Sequence, residues 1–408
     1  MLLARVLERI ISVGRLRLVD ASGASYTFEG APGSNVTIRL RDPALHWKLI
    51  FRPRLYLPEA YMDGALTIEE GNLYDLIDLL AANVDAHPKG LVARFLNGSA
   101  TLLRRLHQYN PARRAHRNAS HHYDLSDQLY ELFLDRDRQY SCAYFREGVD
   151  DLDTAQLDKK RHIAAKLLIR PGHKVLDIGS GWGGLALYLA GECGADVTGL
   201  TLSIEQHKAA TRRAATARLS DRVKFCLRDY REEIGCYDRI VSVGMFEHVG
   251  INHYGGFFAK LKSLLTPDGI ALLHSIGRKD GPSSTDPWIR KYIFPGGYVP
   301  ALSEVVPIAE RLGLWITDIE ILRLHYAETL RAWRTRFERN HDRIRTIYDE
   351  RFYRMWEMYL VGSEVAFRRQ DLMVFQMQLA KAADAVPLTR DYMFDWERRH
   401  SAAADYAA

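Results

Sequence analysis

Cysteine is scarce in this chain, and what there is lies scattered. Cys142, Cys193, Cys226 and Cys236 show no C-x-x-C spacing, which argues against a disulfide frame or a zinc site and predicts reduced thiols. Long uncharged apolar runs are missing too. No window approaches the roughly eighteen residues of a membrane span, and the N-terminus alternates charge with apolarity where a signal peptide would have a continuous core. The expectation is a cytoplasmic protein. Acidic residues are absent from Arg94 to Arg117, a stretch that carries Arg94, Arg104, Arg105, Arg113, Arg114 and Arg117 among Phe95, Leu102, Leu103 and Leu106. Such a basic amphipathic segment suits an anionic membrane surface or a nucleic acid, or is a solvated linker helix. Only the Ala-rich C-terminal tail reads as disordered.

A chain of 408 residues with 47% apolar content buries a sizeable core and divides into two or three domains. Residues 1–85 read as a small α+β unit. It has helical spacing over Leu2–Ile11 and Leu73–Ala82, and short alternating strands over Gly14–Leu18, Ser25–Phe28 and Val36–Leu40. Residues 86–120 form the basic linker, broken by Pro88, Gly90, Asn97-Gly98 and Pro111. Residues 121–400 form one large domain, which begins in an aromatic-rich segment and a helix over Leu157–Leu168. Strands are expected over Lys174–Ile178, Asp196–Leu200, Val223–Leu227, Arg239–Val243 and Ile270–Ser275, with helices between them. Trp315–Leu322 and Leu372–Leu379 add two more strands around a helical insertion at about 327–368, read as a cap or an exposed helix pair. This alternation predicts an α/β fold with a doubly wound, largely parallel sheet whose strand carboxyl ends bind ligands.

The densest signal is Lys174–Gly184, K-V-L-D-I-G-S-G-W-G-G: a strand, a tight turn and a helix start. Gly179, Gly181 and Gly184 fit G-x-G-x-x-G, which lets a backbone approach a nucleotide-type ligand. Two details favour S-adenosylmethionine over a dinucleotide. Asp177 precedes the first glycine by two positions, where a carboxylate can shape a pocket for an ammonium group. The second strand runs into Thr201-Leu202-Ser203 and not into the acidic residue that would hold an NAD ribose. At the fourth and fifth strand ends stand Glu247 and His274, candidates for proton handling or an anion site. No metal is expected, because His248 and His253 lack a third ligand at suitable spacing. Tyr123, Tyr140, Tyr144, Phe145, Phe294 and Tyr298 read either as core aromatics or as the lining of an acyl-chain cavity.

These segments resemble the cyclopropane-fatty-acyl-phospholipid synthase family, including its mycolic acid relatives. The likeness rests on H-Y-D-L-S-D at His122–Asp127, Y-S-C-A-Y-F at Tyr140–Phe145, L-D-I-G-S-G-W-G-G at Leu176–Gly184 and G-L-T-L-S-I-E-Q at Gly199–Gln206. It extends through M-F-E-H-V-G at Met245–Gly250, H-S-I-G at His274–Gly277, K-Y-I-F-P-G-G at Lys291–Gly297 and H-Y-A-E-T-L at His325–Leu330. The resemblance implies a Rossmann-like class I methyltransferase that converts a cis double bond of an unsaturated phospholipid chain into a cyclopropane, through a carbocation deprotonated by bound bicarbonate. It implies an anion site of Glu247, His274, Tyr326 and backbone groups at Cys142 and Ile276, with Tyr123 and Phe294 facing the cationic carbon. For the cofactor it points to Tyr140, Ser141, Gly179, Gly181, Thr201, Gln206, Asp229 and Tyr230, beside the Asp177 already singled out. The partners so implied are unsaturated phospholipids at the inner membrane face, with no nucleic acid; a homodimer is compatible with them. Alternatives are the same methyl transfer ending in a methyl-branched or methylated unsaturated chain, and a non-catalytic lipid-binding protein on the same fold. Ser363 stands where many full-length members have a cysteine, so no nucleophile is expected there.

Overall fold

The computed structural model describes residues 2–85 and 126–405, and backbone alone for the last few of these. Tyr123 and the basic linker at 86–120 lie outside the described residues. The chain divides into two compact units. The first takes the described part of Met1–Leu102 with Ser284–Pro295 and Ala327–Leu372, and the second takes the described part of Leu103–Ser283 with Gly296–Tyr326 and the residues from Met373 onward.

In the first unit β1 (Val13–Val19), β2 (Ser25–Glu29), β3 (Ala31–Leu40) and β4 (Leu66–Glu70) form a sheet in the order β2-β1-β3-β4. Along β1 the alternation of Arg15 and Arg17 with Leu16 and Leu18 puts the arginines in water and the leucines inside. The leucines meet Val36, Ile38 and Leu40 of β3 and, from the helices, Leu3, Leu45, Leu76 and Leu79. The helical region splits into His325–Arg339, His341–Ile347 and Glu350–Arg369. Buried Glu364 accepts from Arg334 Nε (2.9 Å) and Arg368 Nε (3.0 Å), so its charge is matched.

The second unit is built on β5 (Lys174–Ile178), β6 (Asp196–Thr201), β7 (Val223–Leu227), β8 (Tyr237–Val243), β9 (Leu265–Arg278), β10 (Trp315–Leu322) and β11 (Leu372–Ala380). Their order is β10-β11-β9-β8-β5-β6-β7. The β5–β6, β5–β8, β6–β7 and β8–β9 ladders are parallel, and β10–β11 is antiparallel. Strand residues alternate between two cores. Val175, Val241, Ile270 and Leu272 enter one; Leu176, Ile178, Ile240, Ala271 and Leu273 enter the other. Burial on both faces explains why these strands read as apolar runs. Because β6 and β8 flank β5 on opposite sides, the crossovers diverge there, and the carboxyl ends of β5, β6, β8 and β9 open onto one edge. Among the described residues no helix is long and apolar enough to cross a membrane.

Candidate active site

The loop after β5 is pinned before any ligand is considered. Gly179 N–H and Ser180 N–H both donate to Leu200 O (2.9 and 2.8 Å), tying the turn to the end of β6. Gly179 and Gly181 both have left-handed backbones, at φ +87° and +53°. A Cβ on Gly179 would strike Met245, whereas one on Gly181 would meet no atom of the described residues within 4 Å. The outer side of Gly181 is therefore open space at the head of the helix Gly184–Gly191, a cradle of the shape a nucleotide-type ligand needs. Beside it, Thr201 Oγ1 donates to Gln206 Oε1 (3.0 Å) and accepts from Ser203 N–H (3.2 Å). Asp229 is held by Arg231, whose Nε and Nη2 reach its two oxygens at 2.9 and 2.6 Å. Tyr230 packs edge-on against Phe257.

Asp177 and Glu247 are buried carboxyls at this edge, only 2% and 8% exposed. Glu247 sits in the short turn Phe246–His248 after β8, and its Oε1 accepts from Ile276 N–H at 2.7 Å. That amide, implied by resemblance to serve an anion directly, here orients the carboxyl. Glu247 Oε2 and Asp177 Oδ2 are buried and lack a hydrogen-bond partner among the described residues. Burial pushes both groups up to about 7, because desolvation disfavours the charged form. His274, on β9, accepts at Nδ1 from Gln376 Nε2 of β11 (3.1 Å), so its single proton rests on Nε2. Burial and the nearby lysines hold its pKa well below the ordinary value, and the ring is neutral.

The loop Tyr140–Cys142 lies against the helix Leu152–Lys166. Tyr140 packs on Tyr130 and Phe133. Ser141 Oγ accepts from Lys159 Nζ (2.8 Å), and Cys142 is buried with its thiol donating to Ala143 O (3.2 Å). Tyr326 is buried and follows His325, whose Nδ1 accepts from Phe145 N–H (3.0 Å). Phe294 belongs to the other unit, edge-on against Tyr359. Sequence reasoning missed Gln376, Gln156 and Lys159. Nearly the whole helix Leu152–Lys166 is buried despite its Asp, Lys, Arg and His residues, and no apolar stripe marks an inward face.

The buried carboxyls make stability depend on pH. Glu247 and Asp177 titrate near 7 in the folded chain, against ordinary values of 4.5 and 3.8 for the same groups in water. The folded state thus binds more protons across that window, and stability falls as pH rises from about 4 through 7. Glu247→Gln should be about 2–3 kcal/mol more stable than the parent at pH 8 and no more stable at pH 4, as read by thermal unfolding at the two pH values. An equal gain at both would assign the effect to packing and not to charge.

Comparisons with known proteins converge. The family model for mycolic acid cyclopropane synthetase matches residues 110–377. The cyclopropane-fatty-acyl-phospholipid synthase of Escherichia coli K12 is 37% identical over 347 residues, 85% of this chain and 88% of that protein. Tuberculostearic acid methyltransferase UfaA1 of Mycobacterium tuberculosis is 36% identical over 393 residues, 92% of this chain and 90% of the relative. Among solved structures, cyclopropane synthase MmaA2 from Mycobacterium tuberculosis aligns with a TM-score of 0.63 at 32% identity, covering 67% of this chain and 99% of that one. Mycolic acid cyclopropane synthase CmaA1 complexed with SAH and CTAB aligns at 0.62 and 32% identity, covering 66% and 98%. With a doubly wound sheet, an open glycine cradle and these matches, the chain belongs to the mycolic acid cyclopropane synthetase family, as an S-adenosylmethionine-dependent methyltransferase of the cyclopropane synthase type.

Proposed function

We propose that the protein transfers a methylene unit from S-adenosylmethionine to a cis double bond of unsaturated phospholipid chains, closing a cyclopropane ring. The observation that carries this reading is the buried Glu247 carboxyl, with one oxygen held by Ile276 N–H and the other unclaimed, at the same sheet edge as the glycine cradle. S-adenosylmethionine, when bound, supplies a methyl group activated on a sulfonium, and bicarbonate, when bound, supplies a weak proton acceptor. For the cofactor, Gly181 leaves room for the backbone approach and Gly179 makes the turn against Met245, Asp177 offers an unpaired oxygen to the ammonium end, and Tyr140, Ser141, Thr201, Gln206, Asp229 and Tyr230 complete the holding set.

For the anion, a Glu247 carboxyl half protonated near pH 7 has a hydroxyl to donate, and His274 donates Nε2–H without carrying a charge. Donors of this kind fit a small oxyanion, and neither side chain brings a positive charge against a carbocation. Tyr326 and the backbone at Cys142 complete that site, while Ile276 N–H holds the Glu247 carboxyl in place. An alkene is a poor nucleophile and its cation is short-lived in water, so a dry pocket is part of the function. We assign the N-terminal residues and the basic linker to lipid presentation at the inner membrane face.

A second reading has specific support. UfaA1, named a tuberculostearic acid methyltransferase, and a probable fatty acid methyltransferase of Pseudomonas putida, 35% identical over 93% of this chain and 96% of that one, cover more of the chain than the Escherichia coli synthase. That reading keeps the methyl transfer and ends it in a methyl-branched chain. Incubation with methyl-labelled S-adenosylmethionine and vesicles of unsaturated phospholipid should place label in the acyl chains. Label appearing only with added RNA or a small amine would overturn both readings.

A further inference from the structure

A fully buried lysine without an ion pair calls for an explanation. Lys159 is 0% exposed, and among the described residues it makes no ion pair; its hydrogen bond goes to Ser141 Oγ at 2.8 Å. Desolvating an ammonium is costly unless a counter-charge arrives. The facing charges are Asp135, Asp137, Asp177 and Lys160. Asp135 is committed to the N–H groups of Asp137 and Gln139, at 2.9 and 2.8 Å. Asp137 is taken by Lys160 and Arg213. Burial draws the lysine down to about 8, which leaves it largely protonated at neutral pH.

Gln156 stands one turn earlier on the same helix and grips the same segment. Its Nε2 donates to Ser141 O (3.0 Å) and Gln139 O (3.3 Å). The backbone of Ser141 is thereby fixed, and only its hydroxyl proton has freedom. An ammonium has donors and no acceptor, so Ser141 Oγ must accept from Lys159, and its own proton turns away from the lysine.

We propose that Lys159, acting through Ser141, is the positioning residue for the methionine carboxylate of S-adenosylmethionine: it aims the Ser141 O–H at that carboxylate and balances its charge. With Asp177 serving the ammonium end, the pair reads the zwitterion and leaves the adenosyl part to the glycine loop. The inference rests on the cofactor reading above, and its test separates the two.

The test is calorimetric titration of the full chain with S-adenosylhomocysteine and with 5′-methylthioadenosine, which lacks the amino-carboxyl end. Lys159→Met should weaken S-adenosylhomocysteine about ten- to a hundredfold, as expected for losing a charge-assisted hydrogen bond, and leave 5′-methylthioadenosine within about twofold. Ser141→Ala should shift the ratio the same way, and adding Lys159→Met to it should cost little more. Wild-type protein that binds neither ligand would sink the cofactor reading itself. Wild-type binding of both, with Lys159→Met either harmless or equally damaging to the two ligands, would overturn the role given to Lys159 alone. If Lys159→Met does not fold, Ser141→Ala decides: an unchanged ratio of the two affinities overturns the proposal.

Discussion

Glu247→Gln should lower turnover at least about a hundredfold while S-adenosylhomocysteine affinity stays within about threefold. Glutamine fills the same volume, and its amide oxygen still accepts the Ile276 N–H that fixes the parent carboxyl at 2.7 Å. What it cannot do is gain or lose a proton at the second oxygen, which is buried and unclaimed. Loss of a proton-handling group typically costs 10²–10⁴-fold in rate, so the larger part of the effect belongs in kcat. The pH profile gives an independent reading. Because burial raises Glu247 to about 7, the parent rate should change through neutral pH, and that limb should vanish in the variant. Full turnover in Glu247→Gln would mean that the anion and proton site lies elsewhere.

Gly181→Val should abolish cofactor binding, by about a hundredfold or more, while the protein still folds. The Cβ of the substituted side chain meets no atom of the described residues within 4 Å, so the backbone penalty is that of the left-handed conformation at φ +53°, roughly 1–2 kcal/mol. The space it enters is the space assigned to the cofactor. Gly183→Ala makes the contrast, since its Cβ would lie 2.5 Å from Phe225 Cζ and 3.0 Å from Ala210 Cβ. That variant should lose stability first, with binding falling only as folded protein is lost. Equal S-adenosylhomocysteine affinity in Gly181→Val and wild type, measured by calorimetry, would show that the loop does not cradle the ligand.

Much of this arrangement is legible in the residues because central parallel strands are buried on both faces. Lys174–Ile178 is such a central run, and the edge strands Val223–Leu227 and Trp315–Leu322 stand out by the turn residues around them; all three form strands with those bounds. β9 is longer than its apolar centre, because Thr266-Pro267-Asp268-Gly269 looks like a turn and yet lies within Leu265–Arg278. The first unit hides more. Pro53 and Pro58 mask the helix Pro53–Met62, although a proline is welcome in the first turn, and the five residues of β4 are too short to show a period.

At the site, position along a strand exposes Asp177, Glu247 and His274, since residues just past a parallel strand end face the ligand edge. Their partners do not announce themselves. Gln376 lies in a strand buried along most of its length, and its amide orients His274 across a separation of 102 positions. Lys159 and Gln156 sit in a helix that is rich in charged residues and that folding nevertheless buries. Pairings of that kind depend on how layers stack, which no local pattern records.

In the proposed reaction a dry, carboxyl-bearing pocket takes one methyl group and one proton step to a ring. Its most direct measurement is mass spectrometry of fatty acids released after reaction with trideuteromethyl S-adenosylmethionine and vesicles of monounsaturated phospholipid. Ring closure should give chains that gain CD₂, retaining two of the three deuterons, and that resist ozonolysis. Chains that gain CD₂ and are cleaved by ozone carry a methylene branch, chains that keep all three deuterons are methylated without ring closure, and either result would contradict it.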